Sequence, residues 1–77
     1  MAEFDKELDV TGYTCPVPIF RTHKALNDMK SGEILRVITS DPRSEQNMVT
    51  FTELNTQFKL VSSEQDKGIY YYLIKKI

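Results

Sequence analysis

Two short runs in this chain set a proline directly behind a residue suited to precede a helix: Cys15-Pro16-Val17-Pro18 and Asp41-Pro42. Proline has no N–H and its φ is fixed near the helical value. It is therefore favoured at the first helical position, and it pushes the residue before it toward extended geometry. Each run marks a point where an extended segment gives way to a helix. That punctuation confines the chain to strands and helices in alternation.

The surrounding residues fill in the elements. Lys6 to Val10 reads as a short strand ending at the turn signal Thr11-Gly12. From Pro16 to about Lys30, Ile19, Leu26 and Met29, with Thr22 and His23 between them, follow helical spacing, and Ser31-Gly32 supplies a stop. Glu33 to Ser40 is a β-branched-rich run of strand length. Asp41 is then the expected N-cap and Pro42 the first residue of a second helix reaching about Asn55, with Met48, Phe51, Thr52 and Asn55 along one face and Val49 beside them. Phe58 to Ser63 and Ile69 to Lys76 read as strands joined by a hairpin at Asp66-Lys67-Gly68.

The order β-α-β-α-β-β with right-handed crossovers predicts an α+β two-layer sandwich: a four-stranded mixed sheet carrying two helices on one face. Both helix N-termini then lie at one sheet edge, so the loop Ser40-Asp41-Pro42-Arg43 is expected to approach the loop that holds Cys15. A chain of 77 residues is enough for one domain, 1–77. At that size about 60% of the unfolded surface is buried, which leaves a small core.

Charge excludes some functions. Ten Lys and Arg stand against eleven Asp and Glu, a net charge of −1, which is not the basic footprint of a protein that binds nucleic acid directly. The acidity is local: Glu3, Asp5, Glu7 and Asp9 crowd the start, whereas the first helix carries Arg21, Lys24 and Lys30 against Asp28. No apolar run approaches the roughly 18 residues of a membrane span. The acidic N-terminus has no signal-peptide pattern, and a lone cysteine fits a reducing compartment, so a soluble cytoplasmic protein is expected.

Cys15 is the one cysteine. As an N-cap its thiolate would face the positive end of the helix dipole, a condition that lowers a thiol pKa and makes it nucleophilic. Pro18 removes a further first-turn donor, leaving the Val17 N–H as the expected nearest amide for the sulfur. Pro18 also occupies the place where a Cys-x-x-Cys motif would carry a resolving thiol. Anything bonded to Cys15 must therefore leave to another molecule, which argues against a thiol redox protein.

Leu8-Asp9, Gly12, Cys15-Pro16-Val17-Pro18, Lys24, Leu26, Gly32-Glu33, Leu35, Val37 and Asp41-Pro42 together resemble the pattern of the TusA/SirA-like sulfur-carrier family. The likeness runs from about Leu8 to Tyr72-Leu73-Ile74-Lys75. It implies the same sandwich and a sulfurtransferase that acts as a protein-bound sulfur carrier, with a stoichiometric carrier as the alternative to a multi-turnover catalyst. Cys15 would accept sulfane sulfur as a persulfide from a cysteine desulfurase or rhodanese and hand it to the cysteine of an acceptor such as a DsrE/TusD-like protein. Family relays of this kind serve dissimilatory sulfur oxidation, tRNA thiolation or molybdenum-cofactor supply. The chain departs from the family at Tyr13, where leucine is common, and at His23, where a basic residue often precedes Lys24.

Pro16, Pro18 and Gly12 are read as structural parts of the site, and Arg21, Lys24 and Arg43 as candidate partner-docking residues. His23 falls roughly 12 Å along the helix from Cys15 and cannot serve it as a base; a partly buried, structural histidine is expected. A single His and a single Cys argue against a metal site within one chain, and no cofactor is expected. Tyr70 to Tyr72 alternate across the last strand, so at least one tyrosine should face away from the helices. The competing reading is a non-catalytic interaction or regulatory module with an incidental cysteine. The N-cap position predicts that alkylation of Cys15 follows a pKa below the value of about 8.5 for a free thiol. A pH profile of iodoacetamide labelling that tracks a peptide cysteine would remove that argument.

Overall fold

The computed structural model describes residues 4–14 and 17–77. Its elements are β1 (Lys6–Asp9), α1 (Val17–Asn27), β2 (Ile34–Thr39), α2 (Ser44–Leu54), β3 (Phe58–Asp66) and β4 (Ile69–Lys76). The four strands form one sheet in the order β1-β2-β4-β3. β1 runs parallel to β2, with Leu8 opposite Val37, whereas β4 is antiparallel to both of its neighbours. The fold is thus the α+β arrangement expected from the residue pattern.

Alternation along the strands decides which face is covered. In β2, Leu35, Val37 and Thr39 are buried while Ile34, Arg36 and Ile38 are half-buried. Directly opposed residues share a face, so Leu35 joins Ile74 and Val37 joins Tyr72. Onto this face pack Ala25 and Leu26 of α1 and Met48 and Phe51 of α2, with Val10, Met29 and Phe58 completing the core. Both helices therefore cover the same side, and among the described residues no element covers the other side of the sheet.

Local chemistry sets the boundaries. β3 and β4 meet through Lys67 and Gly68, both at positive φ (50° and 82°), the pair of left-handed residues that a two-residue hairpin turn demands. β3 runs past the expected Ser63 to Asp66, and a register shift between Leu60 and Ser62 inserts Val61 as a bulge. α1 ends at Asn27, before the expected Lys30. Its last carbonyls are met from the far end of the chain, where Lys76 Nζ donates to Met29 O at 2.8 Å and Asn27 O at 3.3 Å. A cation on the C-terminal carbonyls answers the helix dipole, and no local pattern announces it.

The second helix starts later than expected. Asp41 Oδ1 accepts the Arg43 N–H at 3.0 Å, and the Ser44 N–H donates to Asp41 O at 3.0 Å. Asp41 thus closes a turn ahead of the helix, and Arg43, at φ −90° and ψ 0°, takes the N-cap position without a side-chain cap. A tight aspartate turn consumes Pro42 and Arg43 before helical hydrogen bonding begins.

The buried hydroxyls have different fates. Ser44 Oγ and Tyr72 Oη lie 2.6 Å apart in the core, joining the first turn of α2 to the centre of β4. Thr22 Oγ1 on α1 is buried with no hydrogen-bond partner. Burial pushes the Tyr72 phenol above its ordinary value against the opposing pull of the Ser44 bond, with Glu45 adding a smaller push in the same direction. Tyr72→Phe leaves Ser44 unpaired and should cost about 1–3 kcal/mol, whereas Thr22→Val should be neutral or stabilising by about 1 kcal/mol. Because the folded pKa of Tyr72 is raised, its contribution is intact below about pH 10 and is lost as pH rises beyond that value. Urea unfolding at neutral pH measures both substitutions. A pH series checks that Tyr72→Phe flattens the alkaline decline.

Candidate functional site

The loop after β1 is anchored on both sides. Val10, fully buried, donates its N–H to Ile38 O at 2.8 Å and so extends the parallel pairing with β2 by one residue. Asp9 Oδ1 then accepts the Thr11 N–H at 2.9 Å and the Thr11 hydroxyl at 2.7 Å, closing the turn. Those two bonds, the backbone one first, hold the Asp9 carboxyl below its usual range. Gly12 follows at φ +86°, where a side chain would be strained, and its N–H donates to Ser40 Oγ at 3.0 Å. That bond joins the two helix-entry loops.

The entry to α1 is described on either side of Cys15 and Pro16. Those two residues lie outside the described residues, and with them the expected N-cap role of Cys15 and the helix-first role of Pro16. Thr14 O accepts the Val17 N–H at 3.0 Å. The amide expected to serve the sulfur is thus already given to a carbonyl. α1 begins at Val17, and Pro18 in its first turn is buried.

The second loop comes to the same place. Thr14, Asp41, Pro42 and Arg43 line one open cleft of about 440 Å³. The approach of the two loops follows from the parallel pairing, which sends the C-terminal ends of β1 and β2 to one edge of the sheet. Arg43 is exposed on this cleft and supplies a positive charge there.

The other expected docking residues divide. The Arg21 guanidinium lies 4.7 Å from the centre of the Tyr13 ring, so it is stacked on the loop. Tyr13 itself is 42% exposed, which makes the pair a surface feature beside the cleft. Lys24 is exposed in the last turn of α1, roughly 10 Å along the helix from Val17. Arg43 and Arg21 therefore border the cysteine loop, and Lys24 does not.

His23 is exposed, not half-buried as expected. Its ring meets Phe51 and Phe58 edge-on at 5.6 and 5.8 Å, and those two rings stack on each other at 5.5 Å. It borders an aromatic cluster joining α1, α2 and β3, with one side left to solvent. Phe20, 66% exposed on α1, was absent from the sequence-derived apolar stripe. Its signal was available: it stands one residue after Ile19, and so falls out of phase with Ile19, Leu26 and Met29.

Comparison with known proteins agrees with this geometry. A family model described as sulfurtransferase TusA matches residues 6–76. The sulfur carrier protein TusA of Allochromatium vinosum is 45% identical over 76 residues, covering 99% of each chain. The protein of the same name from Pseudomonas entomophila is 32% identical over 72 residues, 94% of this chain and 89% of that one. Among solved structures, a SirA-like protein from Desulfitobacterium hafniense superposes with a TM-score of 0.75 at 27% identity, covering 92% of this chain and 96% of that one. Since the match runs from the first residue of β1 to the last of β4, the chain belongs to the TusA sulfurtransferase family.

Proposed function

We propose that this chain works as a single sulfur-carrier domain in which Cys15 holds the cargo. The observation that carries the reading is the lone cysteine lying between β1 and α1 in a chain matched by the TusA family over residues 6–76. The Cys15 thiolate attacks the outer sulfur of a donor persulfide. A new S–S bond forms, the old one breaks, and the donor departs as a thiolate. An acceptor thiolate then attacks the same outer sulfur, and Cys15 leaves as a thiolate, with no net oxidation over the two steps. The first step unloads a donor, the second loads an acceptor, and the Cys15 thiolate is regenerated, so the chain carries one sulfur per cycle.

Gly12, Pro16 and Pro18 shape and stiffen the segment that presents the sulfur. Arg21 and Arg43, beside the cleft, and Lys24 on the exposed helix supply positive charge for docking acidic surfaces of donor and acceptor proteins. A desulfurase or rhodanese suits the donor role, and a DsrE/TusD-like protein the acceptor role. The lone thiol suits a reducing cytoplasm. The relay would feed sulfur oxidation, tRNA thiolation or molybdenum-cofactor synthesis.

Loading tests the proposal. After incubation with polysulfide or a loaded sulfurtransferase, intact mass spectrometry should show one or more added sulfur atoms, removed by reductant and absent from Cys15→Ser. No adduct on the native chain, or the same adduct on Cys15→Ser, would mean that the cysteine is incidental and the chain an interaction module. Arg21→Glu with Lys24→Glu should leave loading by polysulfide unchanged and slow loading from a donor protein by about tenfold at low salt. Equal slowing with both sulfur sources would remove the docking role.

A further inference from the structure

The two helix-entry loops are each stiffened from within. In the first, the Tyr13 N–H donates to Val10 O at 3.3 Å, Asp9 Oδ1 holds Thr11, and Thr14 O accepts the Val17 N–H at 3.0 Å. In the second, Thr39, fully buried, accepts the Asp41 N–H on its Oγ1 at 3.2 Å. Asp41 then takes the Arg43 N–H at 3.0 Å on its carboxylate and the Ser44 N–H at 3.0 Å on its carbonyl. Residues 11–14 and 39–44 thus form two short, hydrogen-bonded arms. Wherever one arm is fixed to the other, the register of the side chains they carry is fixed as well.

Ser40 makes such a joint. Its Oγ accepts the Gly12 N–H at 3.0 Å, across 28 positions of sequence. The bond does not rescue a buried donor, because Gly12 is exposed and water could take the same N–H. Nor does the turn that follows Ser40 need its hydroxyl, since Thr39 and Asp41 close that turn. What the bond adds is position. Thr14 stands two residues beyond Gly12 and Arg43 three beyond Ser40, and both line the cleft of about 440 Å³. Cys15 is next in sequence after Thr14. One hydroxyl therefore ties the arm that carries Arg43 to the arm that leads into the cysteine.

We infer that Ser40 is a positioning residue for Cys15, acting through Gly12 to hold the Arg43 arm in register with the cysteine loop. Its purpose rests on the sulfur-carrier reading, in which a partner must meet Arg43 and Cys15 together. With the joint cut, the arms move as separate pieces, and docking has to order both before sulfur can pass. Arg43 is one of several charges in this region. Asp41 lines the same cleft, Asp9 closes the first arm, and Arg21 lies on the Tyr13 ring. The net charge of the cleft is therefore a poor gauge of the joint. The share of the field that Arg43 alone contributes at the cysteine reports on it directly.

Thiol–disulfide exchange measures that share with two probes: dithiobis(nitrobenzoate), a dianion, and dipyridyl disulfide, which is neutral. In each reaction the Cys15 thiolate attacks one probe sulfur, a mixed disulfide forms, and the other half of the probe leaves with the electron pair of the broken bond. Cys15 is the one cysteine, so both rates report on it alone, and the thiolate fraction cancels in their ratio. At low ionic strength Arg43→Gln should lower the dianion-to-neutral ratio about threefold when Ser40 is intact, and leave it nearly unchanged in Ser40→Ala. Ser40→Thr, which keeps the hydroxyl, should restore the full effect of Arg43→Gln. A hydroxyl that merely stabilised the fold would give no such coupling. Equal effects of Arg43→Gln with and without the hydroxyl, a Ser40→Thr that restores nothing, or circular dichroism showing Ser40→Ala unfolded would each overturn the assignment. Polysulfide loading of the native chain keeps the two readings apart. A chain that loads but shows no coupling removes the role of Ser40 alone. One that shows coupling but takes up no sulfur removes the carrier reading, while the placement by Ser40 stands.

Discussion

The parallel pairing of β1 with β2 is the constraint on which the rest of the structure hangs. Two neighbouring strands that run the same way cannot be joined by a hairpin, so the chain must cross over, and α1 is that crossover. The same pairing delivers the C-terminal ends of both strands to one edge. Each strand is followed by a loop and a helix, so both helix entries are brought together there. The Gly12–Ser40 hydrogen bond fixes the meeting. The shared cleft of Thr14, Asp41, Pro42 and Arg43 is a result of topology before it is a result of side-chain chemistry.

Much of this was legible in the residues because the two periodicities seldom conflict. Leu35, Val37 and Thr39 alternate inward, while Leu26, Met48 and Phe51 recur at helical spacing, and each set proved buried. What escaped were features set by competition between local hydrogen bonds. Asp41 is chemically fit to cap a helix and equally fit to close a turn, and the turn displaced the helix start to Ser44. The Val17 amide could not be assigned from sequence, because its acceptor is the carbonyl of Thr14 rather than a side chain. The clasp of Lys76 on the end of α1 spans 47 residues and has no local signature.

The site was legible in a different way. Its cysteine stands out because it is alone and followed by two prolines, features of composition and order that need no structure. Its electrostatic setting was only half visible. Arg43 arrives at the cleft through topology, as the strand order foretold, but Arg21 is held by an aromatic ring that the sequence offers no reason to pair with it. Lys24, equally basic, lies two turns away along the helix, so charge on an element does not by itself mean charge at a site.

The sheet order has one more consequence, for how the fold is completed. β4 is the last strand in the chain, yet it lies between β2 and β3 and bonds to both. Until it is in place, β3 has no partner and the β1–β2 pair has no bridge to it. The end of α1 also lacks its cation. A chain still short of β4 can hold only isolated pieces, each too small to bury a core of its own. Assembly should therefore be all or none and governed by contacts distant in sequence, with the central strand inserted last, as a keystone.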